Sequence, residues 1–217
     1  MRVPWAEKAL SMTAWLPSGP LDVHVVHVPP GSSNGWVKVE VLEALYHHLA
    51  CESARPRLLC GDFNTPQAEL PSGEVVTWGQ RIDEAGRVRP RRVVRGRPAA
   101  QWDAAERNVL TGLAAFGLRD VFRSLHGYQV PAASWVLRYR TRVIPRRFDH
   151  IFASPHILAV RCDYLHEWRK AGLSDHAAIE ADLEVATEEK EWDKEGHLGR
   201  AETGSPLPQE VTRFLGP

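Results

Sequence analysis

Hydrophobic and polar positions along this chain follow two periods, and each period predicts one class of element. Closely spaced apolar residues over 21–28 predict a strand that is buried on both faces. From position 37 the spacing changes to that of an amphipathic helix, which we predict over 37–50. The apolar positions of this helix are Val37, Val41, Leu42, Leu45 and Leu49.

The same reasoning predicts the remaining elements. Strands are expected over 11–16, 57–60, 134–142, 147–153, 158–165 and 177–185. A turn at Ile144-Pro145 would separate the third and fourth of these strands. A second helix is predicted over 105–116, with Gly117 well suited to end it. Residues 65–105 are polar and interrupted by Pro and Gly, which is typical of long surface loops. This order predicts an α+β fold in which helices flank layered sheets.

Composition divides the chain after Val185. Apolar residues make up 43% of the sequence, enough for a sizeable core, and the formal net charge is zero. From Glu184 onward, however, eight acidic residues face only four basic ones, so residues 1–183 carry a net charge of +4. We predict one domain over 1–185 and an acidic, flexible tail over 186–217.

Several classes of protein are disfavoured by the sequence. No apolar run reaches the ~18 residues of a membrane span, and residues 1–16 lack the pattern of a secretory signal. The three cysteines, Cys51, Cys60 and Cys162, contain no C-x-x-C pair, so neither a disulfide framework nor a zinc site is expected. These features predict a cytoplasmic protein with no membrane partner and no obligate protein partner.

Three polar clusters follow apolar strands, at 58–64, 147–152 and 173–176. A carboxylate placed directly after a buried strand is held at the rim of a sheet, where ligands bind in layered α/β proteins. Converging carboxylates repel one another unless a hard cation neutralises them. Mg²⁺, or alternatively Mn²⁺, is the cofactor this predicts, with a phosphoester as substrate because Mg²⁺ also binds phosphate oxygens.

The clusters resemble the motifs of the endonuclease/exonuclease/phosphatase superfamily, which includes exonuclease III, the abasic-site endonucleases and DNase I. The matching stretches are G-D-F-N at 61–64, R-F-D-H-I-F-A-S at 147–154 and L-S-D-H at 173–176, preceded by V-H-V-P-P-G at 26–31. The resemblance covers residues 10–185. It implies a DNase I-like, four-layer α/β sandwich of two mixed sheets, and in-line, metal-assisted hydrolysis of a phosphodiester.

The resemblance also implies catalytic roles. Asp62 would handle the proton of the attacking water or of the leaving group, and Asn64 would hold a phosphate oxygen. Asp149 would orient His176, and that pair would activate water or stabilise the pentacovalent phosphate. His27 would contact the phosphate or protonate the leaving oxygen.

Structural roles remain open for the same residues. Asp62 and Asn64 are good turn formers, and Asp149 could pair with a neighbouring arginine. The pair at 175–176 could cap a turn, and a strand histidine at 27 could be structural. His150 should face away from Asp149, because neighbouring strand residues point to opposite faces, and lie either in the core or directly behind the site residues.

The resemblance places Asp175 at the metal together with Asp62. The family's first strands, which carry an Asn and a metal-ligand Glu, should precede residue 11, and only ten residues do. We therefore expect the chain to lack about 60–80 residues of the usual domain. Unpaired strand edges and weaker Mg²⁺ binding would follow.

Arginine-rich stretches predict the substrate. Residues 87–97 contain six arginines and no acid. A second band without acids precedes Asp149 and contains Arg138, Arg140, Arg142, Arg146 and Arg147. In a strand the first three would lie on one face, which suits successive backbone phosphates. Trp102 and Trp135 could stack on bases beside such a stripe.

Nucleic acid, and DNA before RNA, is therefore the predicted partner. Two alternatives stay open. The same residues could hydrolyse a small phosphoester, or the fold could be inactive and bind nucleic acid or a protein through its arginines.

Overall fold

The structure is a computed structural model that describes residues 3–186 and 212–215, the last four by their backbone only. Most of the predicted tail, 187–211 and 216–217, lies outside the described residues. The helices are α1 (Gly31–Asn34), α2 (Val37–Leu49), α3 (Ala99–Leu110), α4 (Val121–His126) and α5 (Glu167–Lys170), with 3₁₀ helices at Ala6–Lys8 and Gly112–Phe116. The strands are β1 (Ala9–Leu16), β2 (Gly19–His27), β3 (Arg57–Asp62), β4 (Ala68–Glu69), β5 (Val75–Val76), β6 (Gln80–Ile82), β7 (Val88–Pro90), β8 (Val93–Val94), β9 (Arg97–Pro98), β10 (Arg119–Asp120), β11 (Trp135–Tyr139), β12 (Arg142–Arg146), β13 (Asp149–Ala153), β14 (Ile157–Leu165), β15 (Ala178–Val185) and β16 (Thr212–Leu215).

A five-stranded mixed sheet forms the centre of the molecule, in the order β1-β2-β3-β13-β10. β2 and β3 run parallel, and the other pairs are antiparallel. A second sheet has the order β14-β15-β16 with antiparallel pairing. The two sheets and the flanking helices confirm the predicted α+β sandwich.

Two hydrophobic cores hold these layers together, one on each face of the central sheet. The two cores follow from the alternation of side-chain directions along β3, because Leu59 faces α2 and α3 while Leu58 faces the second sheet. Phe152 and Ile151 on β13 divide in the same way. The central sheet is therefore buried on both faces over its middle strands, and its polar ends are the places left for a site.

The edge strand β1 is less well covered. Its side chains of Leu10, Met12 and Trp15 are exposed by 57%, 49% and 80%. None of its eight residues carries a charge. β1 is thus an apolar, uncharged sheet edge.

The second long helix begins earlier than the sequence pattern predicted. α3 starts at Ala99, directly after Pro98, and ends at Leu110, where a 3₁₀ turn replaces the predicted continuation to residue 116. The prediction was wrong because Trp102 belongs to the same buried helical face as Ala105 and Val109. Gly117 ends the 3₁₀ turn in the left-handed conformation, φ 85°.

The predicted loops at 65–105 contain short two-stranded hairpins, β4–β5, β6–β7 and β8–β9. The predicted turn at Ile144-Pro145 was wrong, because both residues lie within β12. The turn falls instead at Arg140-Thr141, where Arg140 has a φ of 53°. Pro145 is tolerated because β12 pairs only with β11 among the described strands.

None of the helices in the described part of the chain combines the length and the apolar character that crossing a membrane requires. All three cysteines are free thiols.

Candidate active site

Three neighbouring strands end in one lateral row of polar side chains. The register pairs His27 of β2 with Asp62 of β3, and Asp62 with Asp149 of β13. Residues directly opposite each other on adjacent strands point to the same face, so the row brings three predicted site residues together. The structure thus brings together, at one end of the central sheet, residues that lie up to 122 positions apart in the sequence.

Asp62 is held by the residue two positions after it. The backbone N–H of Asn64 donates to Oδ1 of Asp62 at 2.7 Å, and the Asn64 side-chain amide donates to Oδ2 at 2.9 Å and to the carbonyl of Val28 at 2.9 Å. Both amide hydrogens of Asn64 are thereby used. In this arrangement the amide of Asn64 orients Asp62, and its predicted role in holding a phosphate oxygen stays a prediction.

Burial and, second to it, the nearby negative charge of Asp149 together raise the pKa of Asp62 to about 6, against the opposing hydrogen bond from Asn64. A carboxyl group with a pKa near neutrality can both accept and release a proton under physiological conditions. The predicted proton-handling role is therefore chemically reasonable for Asp62.

His176 joins the row from the loop before β15. Its Nδ1 lies 2.7 Å from Oδ2 of the buried Asp149. Burial disfavours the charged imidazolium, but the hydrogen bond and charge of Asp149 outweigh this, and the pKa of His176 is raised above 6.5. The pair therefore favours a protonated imidazole whose other nitrogen is free to face a ligand.

Two residues that the sequence analysis missed hold this pair in place. The buried Ser134 hydroxyl accepts from the backbone N–H groups of Phe148 and Asp149, and the Ser134 carbonyl accepts from Ala177, next to His176. The Tyr164 hydroxyl donates to the carbonyl of Asp149 at 2.6 Å. Nothing in the local pattern of either residue signals these contacts, since their partners are distant in sequence.

His27 and Asp175 lie at the margins of the row. Nε2 of His27 is 3.8 Å from Oδ2 of Asp62, and burial together with the charge of Lys8 lowers the pKa of His27. Asp175 is exposed and accepts a hydrogen bond from the Trp135 indole at 3.3 Å. Asp175, which the sequence predicted as a metal ligand, thus lies away from the point where the carboxylates of Asp62 and Asp149 converge.

A cavity of about 860 Å³ opens over the row. It is lined by all the predicted catalytic residues except Asp149, and by both Trp135 and Arg146 from the β11–β12 hairpin. The guanidinium of Arg146 lies over the Trp78 ring, 5.7 Å from its centroid. Within the described residues no carboxylate pairs with Arg146, and burial lowers its pKa. Other lining residues come from the β8–β9 hairpin and the segment before it: Arg91, Val93, Val94 and Arg95.

Comparison with solved structures identifies the fold. The chain resembles a TDP2 from D. rerio solved with a single-strand DNA product, with a TM-score of 0.52 and 14% identity over 82% of this chain and 61% of that one. It also resembles a humanized D. rerio TDP2 carrying 14 mutations, with a TM-score of 0.50 and 13% identity over 82% and 60% of the two chains. An endonuclease/exonuclease/phosphatase from Beutenbergia cavernae aligns with a TM-score of 0.46 and 16% identity over 95% and 59%. The chain has the endonuclease/exonuclease/phosphatase fold.

The chain spans about three fifths of the length of these structures. No family profile matches the sequence, and no curated protein matches it. The likeness therefore rests on the fold, with the site residues placed by this chain's own geometry.

Within the endonuclease/exonuclease/phosphatase fold of this chain, the predicted arginine stripe is wrong. Trp135 pairs with Arg146, and Tyr139 pairs with Arg142, so these four residues share one face of the β11–β12 hairpin. Arg138 lies on the opposite face, opposite Val143, and Arg140 lies in the turn with its guanidinium over Tyr139. The stripe fails because the turn falls at 140–141 rather than at 144–145. Of this arginine band, only Arg146 lines the cavity.

A buried charge network lies beneath the row. Arg147 bonds Glu69 at 2.6 Å and Asp120 at 2.7 Å, and Arg123 also bonds Glu69 at 2.6 Å. Burial alone would raise the pKa of Glu69, but the two arginines lower it to about 2. His150 is fully buried between Asp120 and the carbonyl of Thr65, at 3.1 and 2.9 Å, as expected for a core residue.

The donors in the row fit a divalent cation. One ligand atom each from Asp62, Asp149 and His176 lies within 4.8 Å of the others. Two carboxylates placed this close repel each other, which the raised pKa of Asp62 reflects, and a cation between them would relieve that repulsion. The endonuclease/exonuclease/phosphatase fold thus carries a candidate acidic and histidine site here.

Proposed function

We propose that this chain is a metal-dependent phosphodiester hydrolase that acts on nucleic acid. One observation carries the proposal: a single cavity brings Asp62 and His176 together with Arg146, a half-buried guanidinium that no described carboxylate neutralises. An acid-free guanidinium next to a carboxylate pair suits a ligand that carries both negative charge and a bond to be hydrolysed. A phosphodiester meets both conditions.

Each residue would act on the phosphate as follows. The free nitrogen of protonated His176 donates to one non-bridging oxygen, and the guanidinium of Arg146 binds another. Asp62 accepts the proton of the water whose oxygen forms the new bond to phosphorus, while the opposite P–O bond breaks and the leaving oxygen takes up a proton from His27 or from solvent water. Asp149 keeps His176 protonated and oriented throughout.

Asp62 and Asp149 would hold a divalent cation, either Mg²⁺ or Mn²⁺, since both prefer oxygen ligands. When bound, the cation would supply positive charge at the phosphate oxygens.

Nucleic acid is favoured as the substrate by the aromatic and arginine lining. Trp135 stacks on Phe148 with ring centroids 5.5 Å apart, and its outer face borders the cavity beside Arg146. Base stacking on such a face next to a phosphate-binding arginine is typical of single-stranded nucleic-acid sites. One of the resembling structures was solved with a single-strand DNA product, which agrees with this choice.

A small phosphoester is the second candidate. The cavity wall includes apolar side chains at Val93, Val94 and Leu137, which would cover an apolar group better than a duplex backbone. This feature favours a compact ligand held inside the cavity.

The test is cleavage of three substrates by purified protein: a fluorescent single-stranded oligonucleotide, supercoiled plasmid and a chromogenic phosphodiester. Each is incubated with Mg²⁺, Mn²⁺ or EDTA. We expect cation-dependent cleavage of the oligonucleotide that Asp62→Ala and His176→Ala abolish. Asp163→Ala, which removes a half-buried acid that pairs with Arg161 on β14, should leave cleavage intact. Turnover of the chromogenic ester with intact oligonucleotide would favour the second candidate. Salt-sensitive binding without any cleavage would overturn both and indicate an inactive binding protein.

A further inference from the structure

A fully buried ion pair lies behind the site, between α2 and α3. Nζ of Lys38 is 2.6 Å from Oε1 of Glu106, and the two side chains are exposed by 1% and 0%. Removing both charges from water costs several kcal/mol per ion, and an apolar pair of similar size often stabilises a protein as well or better. Contribution to stability is therefore a weak reason for this pair to be present.

Apart from the Trp102 indole, which donates to Oε1 of Glu106 at 2.8 Å, the other hydrogen bonds of the pair lead to one backbone carbonyl. Lys38 donates a second hydrogen bond to the Asn64 carbonyl at 2.8 Å, and the Trp78 indole donates to the same oxygen at 3.2 Å. Glu106 in turn accepts from the backbone N–H of Trp78 at 2.8 Å. Glu106 thus contacts both residues that donate hydrogen bonds to the carbonyl of Asn64, namely Lys38 and Trp78.

That carbonyl belongs to a residue in the left-handed conformation. Asn64 has a φ of 50°, a region that asparagine adopts more readily than most residues other than glycine. In this conformation its N–H and its amide both reach the carboxylate of Asp62. If the carbonyl of Asn64 were released, the two hydrogen bonds that orient Asp62 would no longer be fixed.

A second series of contacts runs from Glu106 to the opposite wall of the cavity. The Trp78 backbone bonded by Glu106 carries the ring on which the Arg146 guanidinium lies. A single buried carboxylate is therefore linked to Asp62 through Asn64 and to Arg146 through Trp78.

We propose that Lys38 and Glu106 are positioning residues that set the orientation of Asp62 from behind the cavity. They touch neither the substrate nor the reacting atoms. Only the catalytic consequence of this inference rests on the proposed function; the conformational one does not.

The test uses the double variant Lys38→Met/Glu106→Gln in the full chain. It removes both buried charges, and with them the lysine donor to Asn64. The single amide oxygen of the glutamine can accept from the Trp78 N–H or from the Trp102 indole, which donate to the two oxygens of Glu106. Glu43→Gln is the matched control, because Glu43 bonds Gln101 across the same two helices at 3.5 Å without reaching Asn64. Amide hydrogen exchange is measured by mass spectrometry on peptides covering 61–66 and on those covering α2 and α3.

We expect exchange at 61–66 to accelerate about tenfold or more in the double variant, with α2 and α3 unchanged and Glu43→Gln like wild type. If wild type hydrolyses a phosphodiester, kcat should fall about 10- to 100-fold with KM changed less than about threefold. Wild-type exchange at 61–66 in the double variant would overturn the inference. Equal loss of protection in α2 and α3 would also overturn it, since the pair would then only fasten the two helices.

Two further arrangements keep the outcomes separate. Trp78→Phe removes only the indole donor and keeps an aromatic ring under Arg146. It should therefore raise amide exchange at 61–66 by less than the double variant does. Unchanged exchange at 61–66 in Trp78→Phe would count against the inference even if the double variant failed to fold. A wild type without turnover would refute the proposed function, while the exchange result would still decide the positioning role.

Discussion

Nδ1 of His176 lies 2.7 Å from Oδ2 of Asp149, and this contact joins the loop before β15 to the first residue of β13. Two strands from different sheets are thereby connected at the candidate site. Burial of the half-buried His176 acts to lower its pKa, and the contact with the buried Asp149 outweighs this, so that the pKa of His176 is raised on balance.

Replacing either partner should remove most of the activity. We expect His176→Ala to lower turnover of a cleavable phosphodiester about 10²- to 10⁴-fold, because a positioned proton donor at the phosphate is lost. Turnover by Asp149→Asn should fall by a factor in the same range. The alkaline limb of its pH–rate profile should also shift toward lower pH, since the imidazole of His176 loses the neighbouring charge that raises its pKa. Steady-state rates measured from about pH 5 to pH 10 check this. An unchanged alkaline limb in Asp149→Asn would contradict it.

The same contact should make stability depend on pH. The pKa of His176 is higher in the folded chain than its usual 6.5, so protonation favours folding. The stabilisation is complete below the unfolded pKa and is lost as pH rises through the folded one. Wild type should therefore exceed Asp149→Asn in Tm by more at about pH 6 than at about pH 9. Thermal unfolding of both proteins measures this, and a gap that widens toward pH 9 would refute it.

A divalent cation should stabilise the protein through Asp62 and Asp149. We expect Mg²⁺ or Mn²⁺ at about 100 times its Kd to add about 2.7 kcal/mol to the free energy of unfolding at pH 7.5. The gain should shrink near pH 5, because Asp62, with a pKa of about 6, then binds a proton instead. Asp62→Asn and Asp149→Asn should abolish the shift in Tm. Asp175→Asn should keep it, and loss of the shift there would instead favour the ligand pair predicted from the sequence.

Arg146 and Arg138 form a matched pair on opposite faces of one hairpin. Arg146→Ala should weaken binding of a phosphodiester about 10- to 100-fold, the range expected for a lost charge-assisted hydrogen bond. Arg138→Ala removes the same charge from the other face and should change binding less than about threefold. Fluorescence anisotropy with a labelled oligonucleotide at two salt concentrations measures both. Equal losses would mean that net charge, rather than the cavity, attracts the ligand.

The uncharged edge of β1 should promote association of the protein with itself. Trp15→Lys places a charge on the strand edge where the side chain is 80% exposed, so it should reduce aggregation during heating without lowering Tm. Trp168→Lys, at another exposed tryptophan on α5, serves as the control and should leave aggregation unchanged. Light scattering during a thermal ramp distinguishes the two. Equal effects of both substitutions would show that overall charge, and not the strand edge, controls aggregation.

The sequence predicted the lateral row because local signals mark its members. Asp62 ends an apolar strand and Asp149 begins another, and His27 ends a third, so strand pairing alone brings them together. The motif order then added His176, whose contact depends on a loop.

What the sequence could not show depends on partners far along the chain. A lysine at 38 and a glutamate at 106 look like solvent-facing residues until a partner 68 positions away makes their burial possible. Lys38 does fall four residues before Leu42 on the buried face of α2, which is the one signal that could have singled it out. The arginine stripe failed for a different reason, because Pro145 reads as a turn residue and only an edge strand accommodates it.

The β11–β12 hairpin forms one wall of the cavity, and the height of that wall depends on the length of the hairpin. Its open end is fixed, since Ser134 bonds the carbonyl of Arg146 and the N–H groups that start β13. Its turn at Arg140-Thr141 is exposed and free to change in length. Adding residues there in cross-strand pairs preserves the alternation of faces and leaves Trp135 and Arg146 where they are. We therefore expect insertions at this single turn to change the depth of the cavity without displacing the residues of the candidate site.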